Sequence, residues 1–238
     1  MINGDIQLIC IPYAGGSASI YNKWVSILPK GIEVIPYELA GRGKRFSEPF
    51  CSTYESVIDE LFDFVNGINK PNIALWGHSM GALLVYGLAT KMQEHGLPAP
   101  LHMFISGRYP PNISSARKQL HNMPEEEFKQ EISKMGGTPS EILENKELWE
   151  LFSRILRADY TILENYKYQQ SKQKLSSDMT VFYGADDDEV NNYGVSGWET
   201  FTNGNCRYIQ CEGGHFFFKN QETKILSIIE DVLKKYTI

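Results

Sequence analysis

The residues of this 238-residue chain with the clearest chemical potential form the run Gly-His-Ser-Met-Gly at residues 77–81. A short apolar run at 73–76 precedes it and predicts a buried strand, and a longer one at 82–89 predicts a buried helix. A Gly-x-Ser-x-Gly pattern between a strand and a helix is typical of a nucleophile elbow, a tight turn that exposes a serine hydroxyl at a helix N-terminus. Glycines fit both sides of that turn because it has no room for larger residues. The pattern predicts that Ser79 is a nucleophile.

A serine hydroxyl is a poor nucleophile unless a base removes its proton, and a carboxylate must orient that base. Among the five histidines, His215 follows a late predicted strand on a Gly-Gly loop, and we predict that it is the base. His78 adjoins the serine but is interpreted as a packing residue. The remaining three are predicted at a helix end, at a strand start and in a helical region, respectively His95, His102 and His121.

The carboxylate is expected from the aspartates at residues 186–188, which follow another predicted strand. Asp187 is favoured because Gly-x-x-Asp-x-x-Val, over residues 184–190, is the spacing of hydrolase acid loops. Asp188 remains the main alternative, with Asp186 behind it, since three consecutive aspartates also fit a solvated turn.

The tetrahedral intermediate of acyl transfer carries an oxyanion, which requires preorganised N–H donors. The residue after the nucleophile supplies one donor in such enzymes, which predicts the backbone amide of Met80. The second donor is expected on a loop after an early strand. The loop at residues 12–17 fits this requirement, and we predict the backbone amide of Ala14.

Strands and helices alternate along most of the chain, which predicts an α/β protein with a mostly parallel central sheet flanked by helices. The order Ser, acid, His is the one used by α/β-hydrolases, so we predict that fold in a single domain over residues 1–238. From about 110 to 177 the pattern contains no convincing strand. We interpret this region as a helical insertion.

Composition excludes several classes of function. The hydrophobic content of 42% and charged content of 22% are ordinary for a globular protein, and the formal charge of -6 argues against a nucleic-acid partner. No apolar stretch is long enough to cross a bilayer, and residues 1–5 lack signal-peptide features, so we expect no membrane partner and a cytoplasmic location. The four cysteines form no C-x-x-C pair, which predicts free thiols and suggests no metal site.

Several segments of this chain occur together in one known family, and few other hydrolases contain them in this order. They are residues 11–18, Gly-Arg-Gly at 41–43, residues 77–82, Gly-Gly-Thr-Pro at 136–139, Leu-Arg-Ala-Asp-Tyr at 156–160 and Gly-Gly-His-Phe-Phe at 213–217. With them, nearly the whole chain resembles the type II thioesterases, the stand-alone editing enzymes of nonribosomal peptide and polyketide assembly lines. It departs from the family at Ala40 and Asp188, where relatives often carry proline.

The resemblance implies that the insertion is a lid over the active site. It also implies substrates held as thioesters on the phosphopantetheine arm of acyl- or peptidyl-carrier domains. Hydrolysis would clear stalled or mis-primed acyl groups, with a preference for short chains and no need for a metal or bound cofactor. Two alternatives stay open: a medium-chain acyl-carrier thioesterase of fatty acid synthesis, and a non-catalytic binding protein on the same fold. A small-molecule esterase or peptidase leaves the lid segments unexplained.

The one dense basic segment follows the second predicted strand and contains Arg42, Lys44 and Arg45. Arginine suits phosphate through paired hydrogen bonds, so these residues are candidates for docking the phosphopantetheine arm or its carrier. The alternative is a solvated loop, or an arginine in a structural ion pair with Glu48.

Overall fold

The structure is a computed structural model that describes residues 5–68, 72–113, 119–171, 173–190 and 192–237. Six strands form one sheet in the order β2-β1-β3-β4-β5-β6, and each pair of neighbours is parallel. The strands are β1 Ile6–Ile11, β2 Ile32–Pro36, β3 Ile73–His78, β4 His102–Ser106, β5 Asp178–Gly184 and β6 Cys206–Cys211. The predicted α/β architecture is confirmed.

The helices connect these strands and cover the sheet. They are α1 Asn22–Ile27, α2 Tyr54–Asn66, α3 Met80–Glu94, α4 Glu125–Lys134, α5 Ser140–Glu144, α6 Lys146–Asn165, α7 Asn192–Val195, α8 Phe217–Asn220 and α9 Glu222–Thr237. Helix α2 begins with a capping box: the Thr53 hydroxyl accepts from the Ser56 amide, and the Ser56 hydroxyl accepts from the Thr53 amide.

Alternate residues of a strand point to opposite faces of the sheet, and the central strands are apolar on both faces. Leu75 and Met103 pack in one cluster with residues of α2 and α3. Trp76 and Phe104 pack on the other face with residues of α1 and α9. The core therefore lies in two layers, one on each side of the sheet.

The interval between β4 and β5 contains α4, α5 and α6, and its described residues form no strand. These helices share a third apolar cluster, in which Phe128, Trp149 and Leu156 are buried. Helical spacing of the apolar residues Leu148, Leu151, Phe152, Ile155 and Leu156 predicts one buried stripe on α6. Leu148 and Leu151 instead are 45% and 46% exposed. The buried face contains Trp149, Ser153, Leu156 and Tyr160.

Because the strands are all parallel, their carboxyl ends lie along one edge of the sheet, where α/β proteins place their ligands. The loop after β1, Ser79 after β3, Asp187 after β5 and His215 after β6 all occupy this edge. The topology thus brings together the loop after β1 and the loop after β6, which lie near opposite ends of the chain.

Candidate active site

Ser79 occupies a strained turn between β3 and α3. Its φ of 53° makes it the one residue other than glycine with positive φ in the described part of the chain. Such a conformation costs about 1–3 kcal/mol and persists only where the surroundings enforce it. A Cβ on Gly77 would lie 2.2 Å from the Gly81 carbonyl oxygen, and one on Gly81 would lie 2.3 Å from that of Ile11. The elbow therefore requires both glycines.

His215 is oriented by a buried carboxylate. Its Nδ1 lies 2.9 Å from Oδ2 of Asp187, whose side chain is fully buried. The amides of Glu189 and Val190 donate to Oδ1 at 2.9 and 3.2 Å, which fixes the carboxylate. A carboxylate only accepts, so Nδ1 carries the proton and Nε2 is left to act as a base. Asp187 is the member of the aspartate trio that contacts His215, as the spacing predicted.

Ser79 and His215 line the same cavity, whose volume is about 60 Å³. Its other lining residues come from the loop after β1, the segment after β4, the helical insertion and the loop after β5; they include Ala14, Tyr109, Met135, Tyr160, Leu163 and Glu189. The sequence did not suggest Glu189. Its Oε2 lies 3.5 Å from Nε2 of His215, so a second carboxylate, which unlike that of Asp187 lines the cavity, lies beside this imidazole.

The two expected oxyanion donors lie at this cavity and at the start of α3. Ala14 lines the cavity, and Met80 is the first residue of α3, where backbone amides have no acceptor within the helix. The close approach of Gly81 to the Ile11 carbonyl brings the loop after β1 against this helix end. The roles of the Ala14 and Met80 amides as oxyanion donors stay predictions.

His78 is a packing residue, as interpreted from the sequence. It is fully buried, and its Nδ1 lies 2.9 Å from the Ser106 hydroxyl. Burial lowers the pKa of His78 well below its usual value, so the ring is neutral near pH 7. Its ring lies 5.1 Å from that of His215 and 4.6 Å from that of Phe218.

The three candidate docking cations lie in different surroundings. Arg42 is 3% exposed and pairs with Asp159, so its side chain lies in a buried ion pair rather than on the surface, and docking at Arg42 stays an untested prediction. Arg45 contacts Glu48 and Glu60, so it forms the structural ion pair considered as the alternative. Lys44 is exposed. Docking by Lys44 and Arg45 stays a prediction.

Asp159 is a second residue that sequence reasoning missed. It lies in the Leu-Arg-Ala-Asp-Tyr segment of α6, and its carboxylate accepts from the Gly15 amide at 2.7 Å. An acid on the buried face of an amphipathic helix is a signal for a buried partner, because charged groups seldom lose water unpaired. The identity of that partner could not be read from the helix.

The four cysteines are free. Within the described ranges, no three His, Cys, Asp or Glu residues are grouped as metal ligands would be. None of the helices in those ranges has the length and apolar character needed to cross a bilayer.

Residues 6–233 match the model of the thioesterase domain family. The chain is 34% identical over 238 residues to linear gramicidin dehydrogenase LgrE of Brevibacillus parabrevis, covering 98% of this chain and 90% of that protein. It is 32% identical over 244 residues to the medium-chain S-acyl fatty acid synthase thioesterase of Anas platyrhynchos, covering 99% and 95%. Among solved structures, ClbQ from the colibactin NRPS/PKS pathway superposes with a TM-score of 0.93 at 34% identity, covering 98% of each chain.

Proposed function

We propose that this chain, which belongs to the thioesterase family, is a type II thioesterase acting on acyl groups attached to carrier domains. The observation that carries the proposal is the 2.9 Å contact between the buried Asp187 and His215. His215 lines the same cavity as Ser79, which occupies a strained turn. These three groups are the components of nucleophilic acyl transfer.

In the proposed reaction, Nε2 of His215 takes the proton of Ser79 as Oγ attacks the thioester carbonyl carbon. The oxyanion accepts hydrogen bonds from the amides of Ala14 and Met80. When the tetrahedral intermediate collapses, the carbon–sulfur bond breaks and His215 returns the proton to the pantetheine sulfur. Water activated by His215 then cleaves the acyl-enzyme and releases the carboxylic acid. Asp187 stabilises the imidazolium in both halves of the reaction.

Two features support short acyl groups on the carriers of an assembly line. ClbQ belongs to an NRPS/PKS pathway, and the match to it covers 98% of both chains. A cavity of about 60 Å³ has room for about four water molecules, a space that suits a few carbon atoms. We further propose that α4 to α6 form the lid of this cavity within a single domain.

The similarity to the Anas platyrhynchos enzyme favours a second candidate, release of medium-chain fatty acids. An octanoyl chain is larger than a cavity of about 60 Å³, so that activity would require the chain to extend beyond the cavity or the cavity to widen. The relative LgrE is named a dehydrogenase, which is a third activity, but that name describes LgrE and not this chain. A serine, histidine and aspartate at an elbow are suited to acyl transfer rather than to hydride transfer.

The test compares wild type and Ser79→Ala on acetyl- and octanoyl-carrier substrates. Wild type should hydrolyse both, acetyl more rapidly, and the variant should lose about a million-fold in turnover with an unchanged circular-dichroism spectrum. A folded variant that keeps a few per cent of the activity would exclude Ser79 as the nucleophile. Faster octanoyl release would favour the medium-chain activity. Absence of both hydrolysis and fluorophosphonate labelling in wild type would favour a binding protein.

A further inference from the structure

One carboxylate from the helical insertion connects two loops beside the site. Asp159 lies on α6, and its Oδ2 accepts from the Gly15 amide at 2.7 Å and from Arg42 Nη1 at 2.6 Å. Its Oδ1 accepts from Arg42 Nη2 at 2.6 Å. Arg42 Nη1 also donates to the Gly16 carbonyl at 3.2 Å. Both ends of the Gly15–Gly16 segment are therefore held by this pair.

The pair is almost completely buried, with side-chain exposures of 4% for Arg42 and 1% for Asp159. Burial of two charges costs several kcal/mol per ion, and their attraction offsets this cost only in good geometry. Apolar residues of similar volume often stabilise a core as well or better. Stability alone therefore does not account for charges at this position. Apolar residues could not bond the Gly15 amide and the Gly16 carbonyl.

The bonded segment adjoins the predicted oxyanion donor. The Gly15 amide belongs to the peptide group that follows Ala14, so fixing its direction fixes the backbone beside the Ala14 amide. Gly15 has a φ of +78°, and a Cβ there would lie 2.6 Å from Leu156 Cδ2 of α6. The loop is thus pressed against the helix, and its shape depends on the position of α6.

We infer that Asp159 and Arg42 are positioning residues, which orient the Ala14 amide toward the oxyanion through their bonds to Gly15 and Gly16. The inference rests on the proposed function. It makes the helical insertion part of the machinery that stabilises the transition state. Movement of α6 would change the rate of the chemical step as well as access to the cavity.

The decisive variant is Arg42→Met with Asp159→Leu, which removes both charges and leaves no buried ion unpaired. We expect it to fold with a similar Tm. On a small acetyl-pantetheine thioester, its kcat should fall about 100-fold, the order of one lost oxyanion donor, with little change in KM. A trifluoromethyl ketone thioether forms a tetrahedral adduct whose oxygen needs the same donors. Its inhibition constant should rise by a similar factor.

Two further variants make the result specific. Arg42→Lys keeps the charge but loses the bidentate geometry, so it should fold and lose about 10-fold in kcat. Arg157→Gln removes the exposed contact of α6 with Glu125 and should leave kcat unchanged. The inference is overturned if folded Arg42→Lys and the double variant keep wild-type kcat and ketone affinity. It is also overturned if Arg157→Gln lowers kcat as much, since α6 then acts only through its general packing.

The small thioester separates this test from that of the proposed function. If wild type cleaves the small thioester but not carrier-bound acyl groups, the assignment of carrier domains as substrates fails. The kcat values of the Arg42 and Asp159 variants on the small thioester still test the positioning role. If wild type cleaves no thioester, both fail together.

Discussion

Glu189 and His215 form a contact in the cavity: Oε2 of the glutamate lies 3.5 Å from Nε2 of the imidazole, while Asp187 contacts Nδ1. Nε2 is the nitrogen that takes the serine proton in the proposed reaction. The glutamate therefore lies close to the acyl carbon that Ser79 would attack.

This contact predicts a preference for aminoacyl substrates, whose ammonium group lies two bonds from the carbonyl carbon and would be attracted to the carboxylate. Alanyl and propionyl carriers differ mainly in that group. In Glu189→Gln, the ratio of kcat/KM for alanyl over propionyl should fall about 10-fold, which corresponds to about 1.4 kcal/mol. Asp188→Asn removes an exposed charge from the same loop and is the matched control. An unchanged ratio in Glu189→Gln would contradict the prediction.

Asp187→Asn should lower turnover about 10,000-fold, because an amide can present its N–H to Nδ1 and impose the wrong tautomer on His215. Asp188→Asn should have a mild effect, since the Asp188 side chain is exposed and Asp187 makes the contact. Steady-state kinetics on an acetyl carrier measures both. The reverse ranking would move the acid to Asp188.

The helical insertion contacts Phe216, the residue after His215. A Cβ on Gly137 would lie 2.2 Å from the Phe216 ring, and Lys219 Nζ donates to the Gly137 carbonyl at 3.1 Å. Gly137→Ala should displace this segment and open the cavity, which raises the octanoyl-to-acetyl ratio of kcat/KM. Gly136→Asn is the control, because nothing lies near that position and asparagine tolerates its φ of +71°. Equal losses on both chain lengths would argue against a lid.

Carrier docking is tested at Lys44, the exposed cation of the basic segment. Lys44→Glu should raise KM for carrier-bound substrate and spare the small thioester. The difference from wild type should shrink as salt screens the charge. Lys235→Glu, near the end of α9, is the control; Lys235 acts electrostatically on His102, at the start of β4 and thus at the opposite edge of the sheet. Equal losses on both substrates would mean that Lys44 supports the fold or the active site.

The free energy of unfolding should fall as the pH is lowered, in part because of His102. Burial lowers its pKa from 6.5 to about 4, and its ring nitrogens contact the hydroxyls of Thr180 and Tyr236. Below pH 6.5 the unfolded chain takes up the proton before the folded protein does. The stability contributed by neutral His102 is therefore complete above pH 6.5 and lost as the pH falls toward about 4. The loss should reach about 3 kcal/mol.

Urea unfolding of wild type and His102→Gln at several pH values between 7 and 4.5 measures this loss. The variant should show a weaker pH dependence, and His95→Gln, at an exposed position, should match wild type. His78 is buried in all three proteins, so its contribution cancels in the comparison. Parallel curves for wild type and His102→Gln would contradict the prediction.

Local sequence patterns were enough to predict the sheet, the elbow and the placement of Ser79, Asp187 and His215 at one edge of the sheet. Each of these depends on short-range patterns: alternation along a strand, glycines at a tight turn, and loops that follow strands. Parallel strands end at a common edge, so local patterns were sufficient to bring distant loops together. The Gly-x-x-Asp-x-x-Val spacing also favoured Asp187, the aspartate that contacts His215.

The surroundings of Arg42 and Glu189 could not be predicted from local patterns, because they are set by tertiary contacts. Arg42 follows a glycine on a loop and has the local sequence of a solvated cation, but its partner Asp159 lies 117 residues further along the chain. Glu189 is one acid among several, and its proximity to His215 depends on the direction in which the loop after β5 turns. The partner of a buried charge and the residues that line a cavity are set by contacts between elements far apart in sequence. Local sequence patterns therefore do not predict them.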